Sequence, residues 1–263
     1  MDIREQAKKY FEDYSKSFLE DEKLTSSQLE KIELKHNHPY RVADISAQIA
    51  ESLDMAERDV DLAYVIGLLH DIGRFEQIKQ YDSYDNSTTL NHGALGMQLL
   101  QQEQFLKDCF DGKDCEIIYE AVNNHDEYGI SDNIKDEKCL SFCKLIRDAD
   151  KIDILHIFTH DSFKNYYAEK LCSYENERKV SNEVFASIKE KRQVCFNGDC
   201  STIDNVFRGL GFIFDVNFHE SFKILREGKF VEKMFYTIND VKGHEHLEHI
   251  YQDYLLGKLR GVI

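Results

Sequence analysis

Tryptophan is missing from this 263-residue chain, proline occurs once, at Pro39, and glycine only 13 times. Few turns of special geometry are therefore encoded, which leaves little room for a turn-rich fold and suits a mainly helical one. Positive charge is also scarce, with 33 Lys and Arg against 49 Asp and Glu and a formal charge of −16. That balance argues against a nucleic-acid backbone as partner, because such contacts need clustered basic residues. It does not argue against a small anionic ligand, which needs only a local positive site. Otherwise the acidity reads as a solubility feature. No apolar stretch approaches the roughly 18 residues of a membrane span. The start, Met1-Asp2-Ile3-Arg4-Glu5-Gln6, lacks the apolar core of a signal peptide. The seven cysteines include no Cys-x-x-Cys pair. An odd count without an export signal leads us to expect reduced thiols and a cytoplasmic protein. Cys139 and Cys143, one helical turn apart, read as packing rather than as zinc ligands.

What the chain does have is 42% hydrophobic residues, enough for a substantial core. The most informative part of that core is the run Leu62-Ala63-Tyr64-Val65-Ile66-Gly67-Leu68-Leu69, which ends in His70-Asp71. Leu62, Val65, Ile66 and Leu69 follow helical spacing, and His70 lies on the same stripe. An imidazole and a carboxylate on a buried stripe are costly unless something compensates both. A divalent metal would do so, since both are common ligand types.

Further ligands of the same kind follow the same rule. His38 opens His38-Pro39-Tyr40-Arg41-Val42-Ala43. It stands four residues before Val42, at the inward end of a stripe continued by Ile45, Ile49 and Leu53. The segment Leu145-Ile146-Arg147-Asp148-Ala149-Asp150-Lys151-Ile152-Asp153 sets acids inside an apolar run. Asp150 is four residues after Ile146, and spacing alone leaves Asp148 and Asp153 open as well. Two imidazoles and two carboxylates from three helices would make a mixed N/O site inside a bundle.

The order His … His-Asp … Asp, with a His-x-x-Arg-Val start and an Asp-Ala-Asp-Lys finish, resembles the HD superfamily of metal-dependent phosphohydrolases. The likeness spans roughly residues 35 to 160. It implies an all-α fold, an HD-domain helical bundle with additional C-terminal helices. The whole chain then reads as a single mainly helical domain, with the HD core at about 35–160 and a helical extension at about 161–263. The resemblance implies His38, His70, Asp71 and Asp150 as metal ligands, the second acid of Asp-x-Asp-Lys being the family's choice. His92, in Asn91-His92-Gly93-Ala94-Leu95-Gly96, and His125, which ends Ile117-Ile118-Tyr119-Glu120-Ala121-Val122-Asn123-Asn124, match positions that hold a second metal or the substrate phosphate in the family. The alternative is that His92 caps a helix and His125 is a satisfied core residue.

A bound divalent ion lowers the pKa of its water and shields phosphoryl charge, and two ions stabilise both attacking and leaving oxygens. Arg74, one turn past His70-Asp71, and Lys151, beside Asp150, are the expected phosphate contacts. Asp71, His92 and His125 are the candidates for proton transfer, an order that geometry must decide. Arg41 reads as structural, paired with a carboxylate, and Glu76 as a lesser candidate for an outer base. The cofactor expected is a divalent transition metal (Mn, Fe, Co, Ni or Zn), as one or two ions. The substrate expected is a small phosphorylated molecule, foremost a nucleotide. His125 is followed by Asp126 rather than a second His, and Asp126 to Asn133 lacks Gly-Tyr-Pro, which departs from the cyclic-dinucleotide branch. His70-Asp71-Ile72-Gly73-Arg74-Phe75 also lacks the Glu-Asp pair of the guanosine tetra- and pentaphosphate hydrolases. The competing reading is a regulatory module that binds metal and nucleotide without turnover. A third is a helical interaction protein with an incidental metal site.

Residues 3 to 20 read as an amphipathic helix with Tyr10, Phe11, Tyr14 and Phe18 near one side, and a second helical stretch runs from Ser26 toward His38. Gln80 to Thr89 is polar and turn-rich and is expected to form a loop over the site, with Asp126 to Asn133 as a second adjoining loop. No repeat, low-complexity tract or interdomain linker stands out. Beyond residue 161 the chain is helical by composition and carries little readable chemistry. His156 and His160, followed by Asp161, mimic a metal pair but read as surface residues. Gln193 to Gly198 reads as a turn. Gly209 to Phe218 is apolar and aromatic, suited to core packing or to a subunit contact in a homo-oligomer. His244, Glu245, His246 and His249 sit on a charged terminal helix.

Overall fold

The computed structural model of the chain describes residues 2–86, 89–160, 179–194, 201–238 and 245–261. Among the described residues the regular structure is helical throughout, without a strand. The contacts divide the chain into two compact units, Met1–Asp150 and Lys151–Ile263. Among the described residues no helix is long and apolar enough to cross a membrane.

In the first unit, α1 (Ile3–Leu19) buries Ala7, Phe11, Ser15 and Phe18, the helical spacing of one stripe. Phe11, Tyr14 and Phe18 all meet Phe75 of α4 (Ile72–Tyr81), with ring centroids 5.9, 5.7 and 5.5 Å away. Fully burying one such ring contributes about 1.5–3 kcal/mol. The α1 helix is further tied to α3 (Glu57–Leu69) by Arg4, whose Nε lies 2.6 Å from Asp61 Oδ1.

The two stretches around His38 are a single helix, α2 (Ser26–Ser52), which continues through Pro39. It opens on a capping box between Thr25 and Gln28. The Gln28 amide also donates to the carbonyls of Ile78 and Lys79 at 3.1 and 2.9 Å, so one side chain serves the start of α2 and the end of α4. Val42 and Ile49 are buried, Ile45 is half-buried, and Leu53 lies past the helix end and is exposed.

Two glycines set how close the site helices come. A Cβ at Gly67 would stand 2.7 Å from Ala43 Cα, so this residue lets α3 lie against α2. At Gly73 a Cβ would stand 2.6 Å from Gly96 N, which allows α4 to meet α5 (His92–Gln102) backbone to backbone. The short α6 (Gln104–Cys109) follows, then α7 (Gly112–Asn124), capped by the Asp111 carboxylate, and α8 (Glu137–Phe158). The division between the units falls inside α8, between Asp150 and Lys151. Cys139 and Cys143 are buried in α8, in keeping with a packing role.

The second unit contains α9 (Asn182–Lys189), α10 (Thr202–Leu210), a 3-10 turn (Gly211–Asp215), α11 (His219–Glu227), α12 (Phe230–Thr237) and α13 (Glu245–Leu259). Most of the Gly209–Phe218 segment packs into this unit's core. Leu210 and Ile213 are fully buried, and Phe214 stacks on Tyr251 at 5.0 Å. His156 and His160 face each other with Nε2 atoms 3.1 Å apart. The neighbouring Asp161 lies outside the described residues, as do Cys195 to Gly198 of the expected turn and His244; His246 and His249 are exposed.

Candidate metal centre

Each ligand candidate stands where a helix begins or ends, or where an apolar stripe turns inward. His70 closes α3 and Asp71 precedes α4, so the apolar run of α3 delivers both side chains to one buried point. His92 is the first residue of α5, and the helix is capped by Asn91, whose Oδ1 accepts from Ala94 N at 2.9 Å. His92 is thereby free of a capping role. His125 closes α7, and Asp150 comes from α8. His38, His70, Asp71, His92 and His125 are each at most 3% exposed.

The two oxygens of Asp71 face different histidines. Oδ2 lies 3.5 Å from Nε2 of both His38 and His70. Those two nitrogens are 3.2 Å apart, and Asp150 Oδ1 stands 3.1 Å from His38 and 3.6 Å from His70. Oδ1 lies 3.1 Å from His92 Nε2 and 3.7 Å from His125 Nε2, which are themselves 3.0 Å apart. Ligand atoms held about 2.1 Å from one ion stand about 3.0 Å apart in octahedral and 3.4 Å apart in tetrahedral geometry. The separations on both sides of Asp71, 3.0–3.7 Å, cover that range and run slightly beyond it. The donor atoms of His38, His70 and Asp71, and those of Asp71, His92 and His125, each form a group able to hold a metal, as do those of His70, His125 and Asp150.

Protons make the same case. His70 Nδ1 lies 2.7 Å from the Gly67 carbonyl and His125 Nδ1 2.6 Å from the Val122 carbonyl. His92 Nδ1 is 3.1 Å from both Asn86 Oδ1 and Asp126 Oδ2. An oxygen acceptor at Nδ1 puts the proton there and leaves Nε2 as a lone pair. Three lone pairs therefore point into the cluster beside carboxylate oxygens that carry no proton for them, an arrangement that a cation would satisfy.

Charge is tuned in the same sense. Burial favours the neutral acid at Asp71, but Lys35, then His70, His125 and His92, override it and hold the carboxyl well below the usual carboxylate range. Burial likewise opposes ionisation of Asp150, and the imidazoles of His38 and His70 reverse it. His92 is pushed down to about 4 by burial, against the pull of Asp71 and with the help of Arg74 and His125. It is neutral at pH 7, as a ligand must be.

Arg74 stands beside the cluster, its Nε 3.5 Å from Asp71 Oδ1. Its Nη1 is engaged by Gln77 Oε1 at 2.7 Å and the Tyr84 carbonyl at 2.8 Å, while the buried Nε makes no hydrogen bond. Of the expected loop, Gln80 and Tyr81 belong to α4, Ser87 and Thr88 lie outside the described residues, and Asn86 borders the site through contacts to His92 and Asp126. Lys151 is buried, and its Nζ lies 2.5 Å from Asp215 Oδ2 within the second unit. Glu76 accepts from Gln80 at 3.4 Å and lies near Tyr14.

Several contributors escape a reading of the sequence. Lys35, one helical turn ahead of His38, places Nζ 2.5 Å from Asp71 Oδ2. Asp126 orients His92, and its Oδ2 is held by the amides of Asn86 (2.5 Å) and Asn91 (3.3 Å). Gln77, fully buried, ties Asn86, Thr89 and Leu90 together. Arg147 donates to the carbonyls of Asn124, His125, Glu127 and Tyr128, which fixes the segment after α7. The sequence signals were a base three residues before a ligand, an acid beside His125 and a base within Arg-Asp-Ala-Asp.

Inward-facing histidines and carboxylates around one buried point give this helical protein a donor set that could hold a metal ion. Residues 36–155 match the family model described as HD domain, which supports membership of the HD superfamily. All six ligand candidates fall within that match. HD domains are generally metal-dependent hydrolases. Comparison with curated proteins and with solved structures returned no match.

Proposed function

We propose that this protein is a metal-dependent phosphohydrolase acting on a small phosphate ester, foremost a nucleotide. His38, His70, Asp71 and Asp150 would hold one divalent ion, with His92, His125 and Asp71 available to a second. The observation that carries this reading is Asp71, a buried carboxylate whose two oxygens each face a separate pair of imidazole nitrogens. Mixed imidazole and carboxylate ligation suits Mn, Fe, Co, Ni or Zn.

A divalent ion in this centre supplies a Lewis acid that neutralises phosphoryl charge and makes water a nucleophile near neutral pH. The chain's own residues supply position. Gly67, Val122 and Asp126 orient three imidazoles through their Nδ1 atoms. Because those N–H groups are committed, His92 and His125 serve as ligands rather than as proton donors to a leaving group. The Nε–H of Arg74, ion-paired with Asp71 at 3.5 Å but making no hydrogen bond, is available to a phosphoryl oxygen.

The test is metal content of protein purified without chelator or affinity tag, with phosphate release measured across a nucleotide panel. One or two ions per chain and turnover lost in Asp71→Ala are the expected results. Metal without turnover would favour a regulatory binding module instead. Failure to bind metal on reconstitution would overturn the centre itself.

A further inference from the structure

We propose that Lys35 is a substrate-binding residue that receives an oxygen of the ligand's phosphoryl group; this rests on the phosphate-directed reading above. Its Nζ lies 2.5 Å from Asp71 Oδ2, the oxygen that also faces His38 and His70. The side chain is 22% exposed while Asp71 is 3% exposed, so Lys35 reaches from the accessible edge of the site to its centre. An ammonium carries three donors on a flexible stem, enough to keep a carboxylate oxygen and take an incoming one.

Lys35 has a counterpart across the same carboxylate. Arg74 places its unpartnered Nε 3.5 Å from Oδ1. Each oxygen of the shared ligand thus has a cation beside it, and a phosphoryl group offers oxygens to both. Charge points the same way. Asp71, Asp126 and Asp150 bring three negative charges around the centre, and Lys35 and Arg74 bring two positive ones. One divalent ion turns the local balance positive by a single charge, which an anion would neutralise. Without Lys35 that excess is gone.

The deciding experiment is calorimetric titration of inorganic phosphate into the full-length, metal-loaded protein, comparing wild type with Lys35→Gln and Lys35→Arg, with metal content measured for each. We expect Lys35→Gln to keep its metal and to weaken phosphate binding about 10- to 100-fold, the size of one charge-assisted hydrogen bond. Lys35→Arg should restore part of it. Unchanged phosphate affinity in metal-replete Lys35→Gln would overturn the assignment, as would a metal-loaded wild type that binds no phosphate. Lys35-dependent phosphate binding without turnover of any ester would leave Lys35 in place and sink the hydrolase reading. Should Lys35→Gln fail to fold, Lys35→Arg decides alone: phosphate affinity shifted at full metal content supports the role, and identical affinity and enthalpy overturn it.

Discussion

Nε2 of His92 and Nε2 of His125 face each other at 3.0 Å, and the Nδ1 of each is committed to an oxygen acceptor. Two lone pairs at that distance repel unless a cation or a captured proton lies between them. The same holds on the other side of Asp71 for His70, whose Nδ1 is spent on Gly67. A metal ion held there would relieve that repulsion, and the first expectations concern metal.

Asp71→Ala removes an oxygen from both histidine pairs, whereas Asp150→Ala removes one only from the His38 and His70 side. Elemental analysis should find almost no metal in Asp71→Ala. In a dinuclear centre it should find about half the wild-type content in Asp150→Ala. Equal loss in both variants would show that the two sides are not independent.

Asp126→Asn exchanges the carboxylate acceptor of His92 Nδ1 for a neutral amide. Removing such an outer partner typically weakens metal affinity about 10- to 100-fold. Competition with a metallochromic chelator should show that loss while helix content by circular dichroism stays unchanged.

Acid should destabilise the metal-free protein through His92. Its folded value, about 4, lies below its ordinary value of 6.5, so the unfolded chain binds more protons between the two. Stability is therefore full above about 6.5 and falls as the pH drops toward about 4. The difference corresponds to about 3 kcal/mol. Denaturant titrations across this range should be flatter in His92→Gln, and a slope equal to wild type would refute the assignment.

Arg147→Met should be among the most damaging substitutions away from the ligands. It strands the carbonyls of Asn124, His125, Glu127 and Tyr128. We expect a loss of about 3 kcal/mol or more, read as a lower midpoint in urea. Gly73→Ala should cost about 1–3 kcal/mol or more, since its Cβ meets first the carbonyl oxygen of His92 and then the backbone of Gly96, rather than a movable side chain.

While the choice of Asp150 over Asp148 and Asp153 came from the family resemblance, the residues that the structure gathers as candidate ligands stood out in the sequence because most of them end or interrupt an apolar stripe. A polar group there signals compensation, as with His70 and Asp71 after eight apolar or small residues. Lys35 and Asp126 gave no such signal. Charged residues on helices and loops are usually solvated, and only the spatial approach to Asp71 or His92 reveals their use. Gln77 was hidden for another reason. Its burial goes with contacts to Asn86, Thr89 and Leu90, nine to thirteen residues on, which local periodicity does not report. Spacing gives one stretch from Ser26 toward His38 and a stripe from Val42 onward, and that both belong to one helix through Pro39 is visible only in the structure. The capping at Thr25 and the burial of Ile32, Val42 and Ile49 carry the helix past the missing N–H.

The four carbonyls gathered by Arg147 also bear on how fast the centre fills. Because one guanidinium spans the segment after α7 through protein groups alone, we expect His125 to be held there without help from an ion. Uptake then has no ordering step of that segment to wait for. Its speed should follow ion concentration and the rate at which each ion sheds its water, so slow-exchanging nickel would load later than manganese or zinc.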